Sequence, residues 1–158
     1  MTFSETFKFF YSPYPIFGDN RLYCINTDYS NLQYLLNSSL SCLFIELIGR
    51  SNLGEGALDM KVYEAEKILV PNPRLFDGYS FSRFNDFLVR PMNSIYQELQ
   101  VDPESGSFMN ANPLPDRKAL DEVVFRALGL TDQEIKALYA GLLELTANRL
   151  RKARTFIS

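Results

Sequence analysis

One stretch of the chain, Leu36–Pro73, constrains its fold more than any other. It joins an apolar helix to a glycine-rich turn, a short half-buried segment and an exit marked by two prolines. Apolar residues at three- and four-residue steps predict that the helix runs from about Asn31 to Ile48, with Gly49 placed to end it. Its last two turns have almost no polar face, so we expect them to be buried on all sides.

Segments on both sides of this helix predict a small sheet. The runs Phe7–Tyr11 and Arg21–Asn26 are rich in aromatic and β-branched residues, and the prolines and glycine between them indicate a hairpin or two neighbouring strands. Ser51–Gly56 is predicted to be a turn. Leu58–Val62 alternates apolar and charged residues, as a half-buried strand does, and residues 63–69 predict a short helix.

The C-terminal residues predict two antiparallel helices. Asp116 can cap a helix that reaches about Leu128. Thr131 and Glu134 form a capping box ahead of a second helix that ends near Arg154. Two such helices joined by a short loop form a helical hairpin.

Together these elements predict an α+β fold, in which a small, mostly antiparallel sheet packed with helices is followed by a C-terminal helical hairpin. Residues 74–101 are aromatic and indicate a packed irregular or helical segment, and Asp102–Pro115 contains enough turn formers to mark an internal boundary. We therefore expect one compact unit, made of a region at 1–115 and a hairpin at 116–158 that packs on it.

Composition argues against several classes of function. Histidine is absent from the 158 residues, which removes the side chain used most often for general acid–base chemistry and the commonest metal ligand. Cys24 and Cys42 are too few for a disulfide framework and lack metal-site spacing, so we expect both to be buried hydrophobic residues in a reducing, cytoplasmic setting. We expect no leader near Met1 and no membrane span, because the apolar runs are too short.

Charge is unevenly distributed along the chain. The net charge is −3, with thirteen acids and eight bases in residues 1–115 but six acids and eight bases in residues 116–158. A strongly basic footprint for nucleic acid is therefore missing, which counts against tight DNA binding by the chain alone.

Charged clusters on the predicted helices have ordinary structural explanations. The acid pairs Glu64/Glu66 and Asp121/Glu122 are expected on solvated helix faces or at helix N-termini. Cations near the end of the last helix are expected to complement its dipole, with phosphate contact as the alternative; these are Arg149, Arg151, Lys152 and Arg154.

The glycine turn Gly54-Glu55-Gly56 has two open interpretations. It lacks the Gly-Lys-Ser/Thr of a phosphate-binding loop, and it follows a helix where a dinucleotide-binding turn must follow a strand. It is either a tight connection from helix to strand or a place where the backbone approaches a ligand such as DNA.

The order of these motifs resembles a known family. The sequence LNSSLSCLFIELIGRSNLGEGALDMKVYEAEKILVPNP is similar to the target-recognition region of N6-adenine DNA methyltransferases of bacterial restriction–modification systems, the type II modification enzymes. There an LNSSL helix leads through a glycine-rich turn into a short strand and a proline exit. RLYCIN before it and residues 116–156 after it look like flanking parts of the same C-terminal region, and the resemblance is weaker over residues 74–115.

The resemblance also implies what this chain lacks. In the full-length enzymes, the S-adenosylmethionine loop and the NPPY-type catalytic motif lie in an upstream domain. Asn110–Pro113 lacks the second proline and the aromatic residue of that motif, so we expect it to be a linker. The resemblance thus implies recognition of double-stranded DNA in partnership with a catalytic domain, in cis or in trans. It does not imply methyl transfer by this chain, for which we expect no cofactor and no membrane contact.

Within that family we expect base contacts to cluster around the glycine turn. An arginine matches guanine edges, an asparagine adenine edges, and a lysine guanine or phosphate. The predicted DNA-binding residues are Arg50, Asn52, Gly54, Gly56 and Lys61, with Arg21 and Lys8 as weaker candidates. The alternative function is a protein–protein interaction or assembly module without DNA contact, suggested by the negative charge and by the apolar helix around Phe44.

Overall fold

The computed structural model describes residues 2–18, 22–51 and 56–155, and it has the predicted α+β architecture with a C-terminal helical hairpin. The strands are β1 Thr2–Phe3, β2 Arg50–Ser51 and β3 Leu58–Asp59. The α-helices are α1 Leu32–Leu36, α2 Ser39–Ile48, α3 Val62–Ala65, α4 Asn85–Val89, α5 Ile95–Glu98, α6 Pro115–Ala127 and α7 Asp132–Thr155. Two 3₁₀ turns, Pro73–Phe76 and Ser82–Phe84, lie in the aromatic middle segment.

The sheet is small and antiparallel, with β3 between β1 and β2. Leu58 and Met60 are buried, as their alternation predicts. The predicted strand is too long, however, because Val62 is 56% exposed and begins α3 instead. The helix predicted for residues 63–69 is accordingly shorter and starts one residue earlier.

The strands predicted at Phe7–Tyr11 and Arg21–Asn26 are not present in the described residues, and Arg21 lies outside them. The backbone of Phe9 is instead bound by one side chain: its N–H donates to Asn37 Oδ1 and its carbonyl accepts from Asn37 Nδ2, both at 3.0 Å. The side chain of Asn37, 28 residues away, therefore takes the place of a strand ladder for Phe9. The aromatic residues that suggested a strand are used one at a time, as when Phe7 packs into the core.

The predicted helix Asn31–Ile48 is divided into α1 and α2. In a continuous helix the Leu35 carbonyl would accept the N–H of Ser39. Here the N–H and the hydroxyl of Ser38 occupy that carbonyl, at 3.2 and 2.6 Å, and Ser38 is extended. The Ser39 N–H donates to Asp121 at 2.8 Å. Serine side chains that compete for backbone groups, with an acceptor supplied from α6, explain the break.

Gly49 follows the last residue of α2 as predicted, although its φ of −64° is not left-handed. The glycine is needed for close approach. A Cβ at this position would lie 2.9 Å from the Ile45 carbonyl oxygen and 3.0 Å from a methyl carbon of Leu58. The absence of a side chain thus lets the end of α2 pack directly on β3.

The C-terminal hairpin matches its prediction closely. Gly129, with φ +72°, follows α6. The capping box is present, because the Thr131 N–H donates to Glu134 and the Glu134 N–H donates to the Thr131 hydroxyl, at 2.8 and 3.3 Å. The predicted cap at Asp116 is wrong. The helix begins at Pro115, and the Asp116 carboxylate pairs with Arg90 at 2.6 Å.

A buried ion pair fastens α6 to α5. The side chains of Arg117 and Glu98 are each 1% exposed, and their closest nitrogen and oxygen are 2.7 Å apart. Glu98 also accepts two hydrogen bonds from the guanidinium of Arg90, each at 2.8 Å. Burial alone would raise the pKa of Glu98, but the bonds from Arg90 and the charge of Arg117 outweigh it and lower this pKa to about 2.

Asp121 is not on the solvated helix face that we predicted for it. It is fully buried, and it accepts the N–H and the hydroxyl of Ser39 at 2.8 and 2.6 Å and the hydroxyl of Tyr139 at 3.1 Å. Burial raises the pKa of Asp121, although Arg117 and these donors oppose the change. Asp121 therefore joins α6 to the start of α2 and to α7.

Two further expectations concern the setting of the protein. Cys42 is buried as predicted, but the prediction is wrong for Cys24, which is exposed because the segment around it forms no strand. Of the helices in the described part of the chain, none combines the length and the apolar character needed to cross a bilayer.

Replacing Asn37 should test how the break between α1 and α2 is stabilised. Asn37→Ala removes the two bonds to Phe9 and a third from Asn37 to the Gln33 carbonyl at 2.7 Å. We expect the free energy of unfolding in urea to fall by about 1–3 kcal/mol, because partly buried backbone groups of Phe9 lose their partners. Asn110→Ala, at an exposed turn position, is the control. Equal stability of the two variants would contradict this role.

Acid should weaken the fold through Glu98. Because the folded-state pKa is lowered from 4.5 to about 2, ionised Glu98 stabilises the fold above pH 4.5, and this contribution is lost as the pH falls from there towards 2. At neutral pH, Glu98→Gln should lower the free energy of unfolding by about 3–5 kcal/mol, because the buried Arg117 loses a charged partner. Urea unfolding at several pH values measures both. As the pH falls, the wild-type protein should lose stability more steeply than Glu98→Gln. Parallel pH profiles would show that Glu98 is not the group responsible.

Candidate nucleic-acid interface

The glycine turn lies between β2 and β3 in the sequence, and the structure describes the chain on either side of residues 52–55. Asn52 and Gly54, predicted as DNA contacts, lie outside the described residues, as does Arg21. Arg50 lies on the exposed strand β2, and Lys61 immediately precedes α3. The described part of the predicted site is therefore the pair of chain segments that enter and leave the turn.

Arg50 and Lys61 are brought together by Glu64. The Nε atom of Arg50 lies 2.6 Å from one Glu64 oxygen, and the backbone N–H of Lys61 donates to the other at 2.8 Å. The side chains of Arg50 and Lys61 are 51% and 55% exposed, whereas that of Glu64 is 10% exposed. Lys61 also pairs with Asp59 at 3.2 Å. Both cations thus face solvent, but each has an acidic neighbour.

An exposed aromatic ring lies beside these groups. The guanidinium carbon of Arg50 is 6.0 Å and the ammonium nitrogen of Lys67 is 5.8 Å from the ring centre of Tyr63, which is itself exposed. We call Arg50, Lys61, Tyr63, Glu64 and Lys67 the Arg50 patch. It offers N–H donors and one aromatic face.

Tyr63 is not among the predicted site residues, and the environment predicted for Glu64 is wrong. Glu64 was expected on a solvated helix face, but it is buried beneath Arg50. Its position three residues after Lys61 was the available signal, because an acid at the third helical position accepts the N–H of the residue that precedes the helix. With the helix predicted to begin at residue 63 instead of Val62, Glu64 does not fall at the third helical position. No sequence pattern indicated that Tyr63 would be exposed beside Arg50.

Gly56 occupies a packing position. It is buried with φ +69°, and a Cβ there would lie 3.0 Å from Ala153 and 3.1 Å from Leu150 on α7. Its carbonyl accepts a hydrogen bond from Arg149. The end of the glycine turn is therefore fixed against the last turns of α7, which anchors the start of β3.

Lys8 makes its contacts elsewhere. Its ammonium donates to the Arg90 carbonyl at 2.9 Å and lies 5.2 Å from the ring centre of Phe10. These contacts hold the N-terminal segment against the residues that follow α4. The structure therefore brings Arg50 and Lys61 together without bringing Lys8 to the same patch.

Arg149 is one of the cations predicted to complement the dipole of the last helix or to contact phosphate. Its role in the structure is different. The Arg149 side chain is 4% exposed and donates to both oxygens of Glu46, at 3.0 and 2.6 Å. It also donates to the Ser4 carbonyl at 2.8 Å. Arg151 and Lys152 are exposed, and the side chain of Arg154 lies outside the described part. Arg149 thus joins α7, α2 and the N-terminal segment.

Two clefts lie elsewhere on the described surface. A cleft of about 560 Å³ between α4 and α6 is lined by both acids and arginines, and a second of about 480 Å³ has aromatic and amide side chains around Tyr34. Within the described residues, no group of three or more Asp, Glu or Cys side chains is placed to hold a metal ion.

Comparison with known proteins adds no relative. No family model matches the chain, and no curated protein or solved structure matches it either. The family resemblance therefore rests on the motifs and their order in the sequence.

Arg149 and Arg151 provide a matched test of which C-terminal arginine is structural. Arg149→Met leaves the buried Glu46 without its charged partner, so we expect the free energy of unfolding to fall by about 3–5 kcal/mol. Arg151→Met changes an exposed side chain on the same helix and should change it by less than about 0.5 kcal/mol. Chemical denaturation of both variants measures the difference. Similar losses would mean that Glu46 does not depend on Arg149.

Proposed function

We propose that this chain is the target-recognition portion of an adenine-specific DNA methyltransferase or restriction–modification enzyme, and that it acts with a separate catalytic domain. The observation that carries the proposal is the pair of exposed cations, Arg50 and Lys61, on the chain segments that enter and leave the glycine turn. That turn lies in the sequence that resembles the recognition region. In this proposal S-adenosylmethionine binds the catalytic domain, and this chain supplies contacts to the bases.

Packing between distant segments supports the proposal. The LNSSL residues contact α6 through Ser39 and Asp121, and α2 contacts α7 through Glu46 and Arg149. The two sequence regions that carry the family resemblance are therefore parts of one packed unit. Such a unit would hold the glycine turn on a rigid base, as sequence recognition requires.

The charge pattern agrees with contacts to bases rather than to phosphates. Arg50 and Lys61 keep exposed N–H donors, but Glu64 and Asp59 offset their charge. Hydrogen bonds to base edges provide specificity, while phosphate contacts provide most of the salt-dependent affinity. We infer that the catalytic domain supplies much of the phosphate binding.

An exposed apolar segment supports the existence of that partner domain. Large side chains between residues 10 and 25 point into solvent: Phe10, Tyr14, Ile16, Phe17, Leu22 and Ile25. An extended apolar surface of this kind marks an interaction site more often than a free surface. We assign it to docking of the catalytic domain, in a cytoplasmic complex without membrane contact.

The same segment favours a second candidate, an assembly module without DNA contact. The sequence favours this alternative through its negative charge and the apolar helix around Phe44. The helix is the weaker argument, because α2 packs against α7 and Phe44 is partly buried. The exposed residues between 10 and 25 now provide the stronger one.

Titration of duplex DNA with the chain at increasing salt distinguishes the two candidates. Recognition predicts weak binding at low salt that declines as salt rises, and the double variant R50A/K61A should bind less tightly. The control R83A/R126A removes two exposed cations from the cleft beside α6 and should bind as the wild type does. Absence of binding at every salt concentration would reject DNA recognition by this chain and favour the assembly module.

A further inference from the structure

We infer that Glu64 is a positioning residue that orients Arg50 to recognise a guanine at one position of the DNA target. The inference rests on the proposed function and makes it specific. It follows from the way in which Arg50 is held and from the charge that surrounds it.

Arg50 is held at its inner end. A free arginine side chain has many rotamers, and fixing it in one of them costs conformational entropy. The ion pair at 2.6 Å joins Glu64 to Nε, the guanidinium nitrogen nearest the backbone. The two terminal nitrogens carry four of the five N–H donors, and the side chain keeps 51% exposure. The arrangement therefore fixes the guanidinium and leaves its outer edge for a ligand.

Glu64 is itself fixed by the start of α3. Its second oxygen accepts the Lys61 N–H at 2.8 Å, and its side chain is 10% exposed. The exposed ring of Tyr63 lies beside the guanidinium of Arg50. A donor group that a buried acid already holds is preorganised for its ligand, so binding costs less conformational entropy.

The surrounding charge selects the ligand. A phosphate would meet the Glu64 carboxylate next to Arg50 and that of Asp59 next to Lys61. A guanine edge presents two neutral acceptors, O6 and N7, which match the paired N–H groups of an arginine. Because the acids weaken attraction for a phosphate but leave the donors in place, guanine is the better ligand for Arg50.

The test uses the full chain and a pool of duplexes with a randomised segment. Wild-type protein should select sequences with guanine at a fixed position, and changing that base in a selected duplex should weaken binding at least about fivefold. Arg50→Lys keeps the charge but loses the planar pair of donors and the Nε that Glu64 holds, so it should weaken the preference at that position alone. Glu64→Gln should reduce the same preference while the other selected positions are retained.

Arg83→Ala is the matched control, because it removes an exposed cation that lies outside the Arg50 patch. It should keep the guanine preference. Thermal unfolding of Glu64→Gln, compared with the wild type, separates loss of orientation from loss of the fold, and Arg50→Lys tests the exposed side chain if Glu64→Gln is unstable.

The outcomes separate the two levels of the proposal. If wild-type protein binds no duplex at low salt, the proposed function is overturned and this inference with it. If it binds without a fixed guanine, or if Arg50→Lys keeps the full guanine preference, only the inference fails. If a folded Glu64→Gln variant keeps the full preference, Arg50 recognises guanine without Glu64, and the positioning role is refuted.

Discussion

Arg117 and Glu98 place two full charges where solvent does not reach, and the packing around them satisfies both. Glu98 accepts donors from Arg117 and Arg90, and Arg117 also donates to the hydroxyl of Ser39 at 3.2 Å. The next turn of α6 adds Asp121, which binds Ser39 from the other side. An unpaired charge in this position would cost several kcal/mol. The start of α2, α5 and α6 therefore have to assemble together, and α2 leads directly into the strand that carries Arg50.

The parts of the fold that the sequence predicts well are those encoded by local patterns. The last two helices, with Thr131 and Glu134 between them, depend on helical periodicity and on capping within a few residues. The break before α2 could not be predicted in this way. Asp121 takes the Ser39 N–H across a separation of 82 residues, and nothing near Ser39 in the sequence indicates that partner. The strand predicted at Phe7–Tyr11 is wrong for a related reason. The groups that bond the backbone of Phe9 belong to Asn37, which is 28 residues away.

The candidate site shows the same division. Arg50 and Lys61 could be selected because they flank a glycine turn, which is a local feature. The orientation of Arg50 depends on Glu64, a buried residue of α3 that forms an ion pair with it. Burial of charged residues also changes the charge that the surface presents. Arg117 and Arg149 are both buried in ion pairs, so a count of cations overstates what the surface can offer a polyanion. Among the described residues, however, four acids are buried as well: Glu46, Glu64, Glu98 and Asp121. Because these outnumber the two buried arginines, the exposed surface is less acidic than the net charge of −3 suggests.

The contacts of Arg149 also determine when the chain can fold during synthesis. It reaches Glu46 across 103 residues and the Ser4 carbonyl across 145 residues. Contacts so distant in sequence slow folding, because a long loop must close before they can form. At a ribosome, the N-terminal segment and α2 emerge long before α7. The nascent chain must therefore expose α2 until α7 has been made, a period in which chaperone binding or aggregation competes with folding.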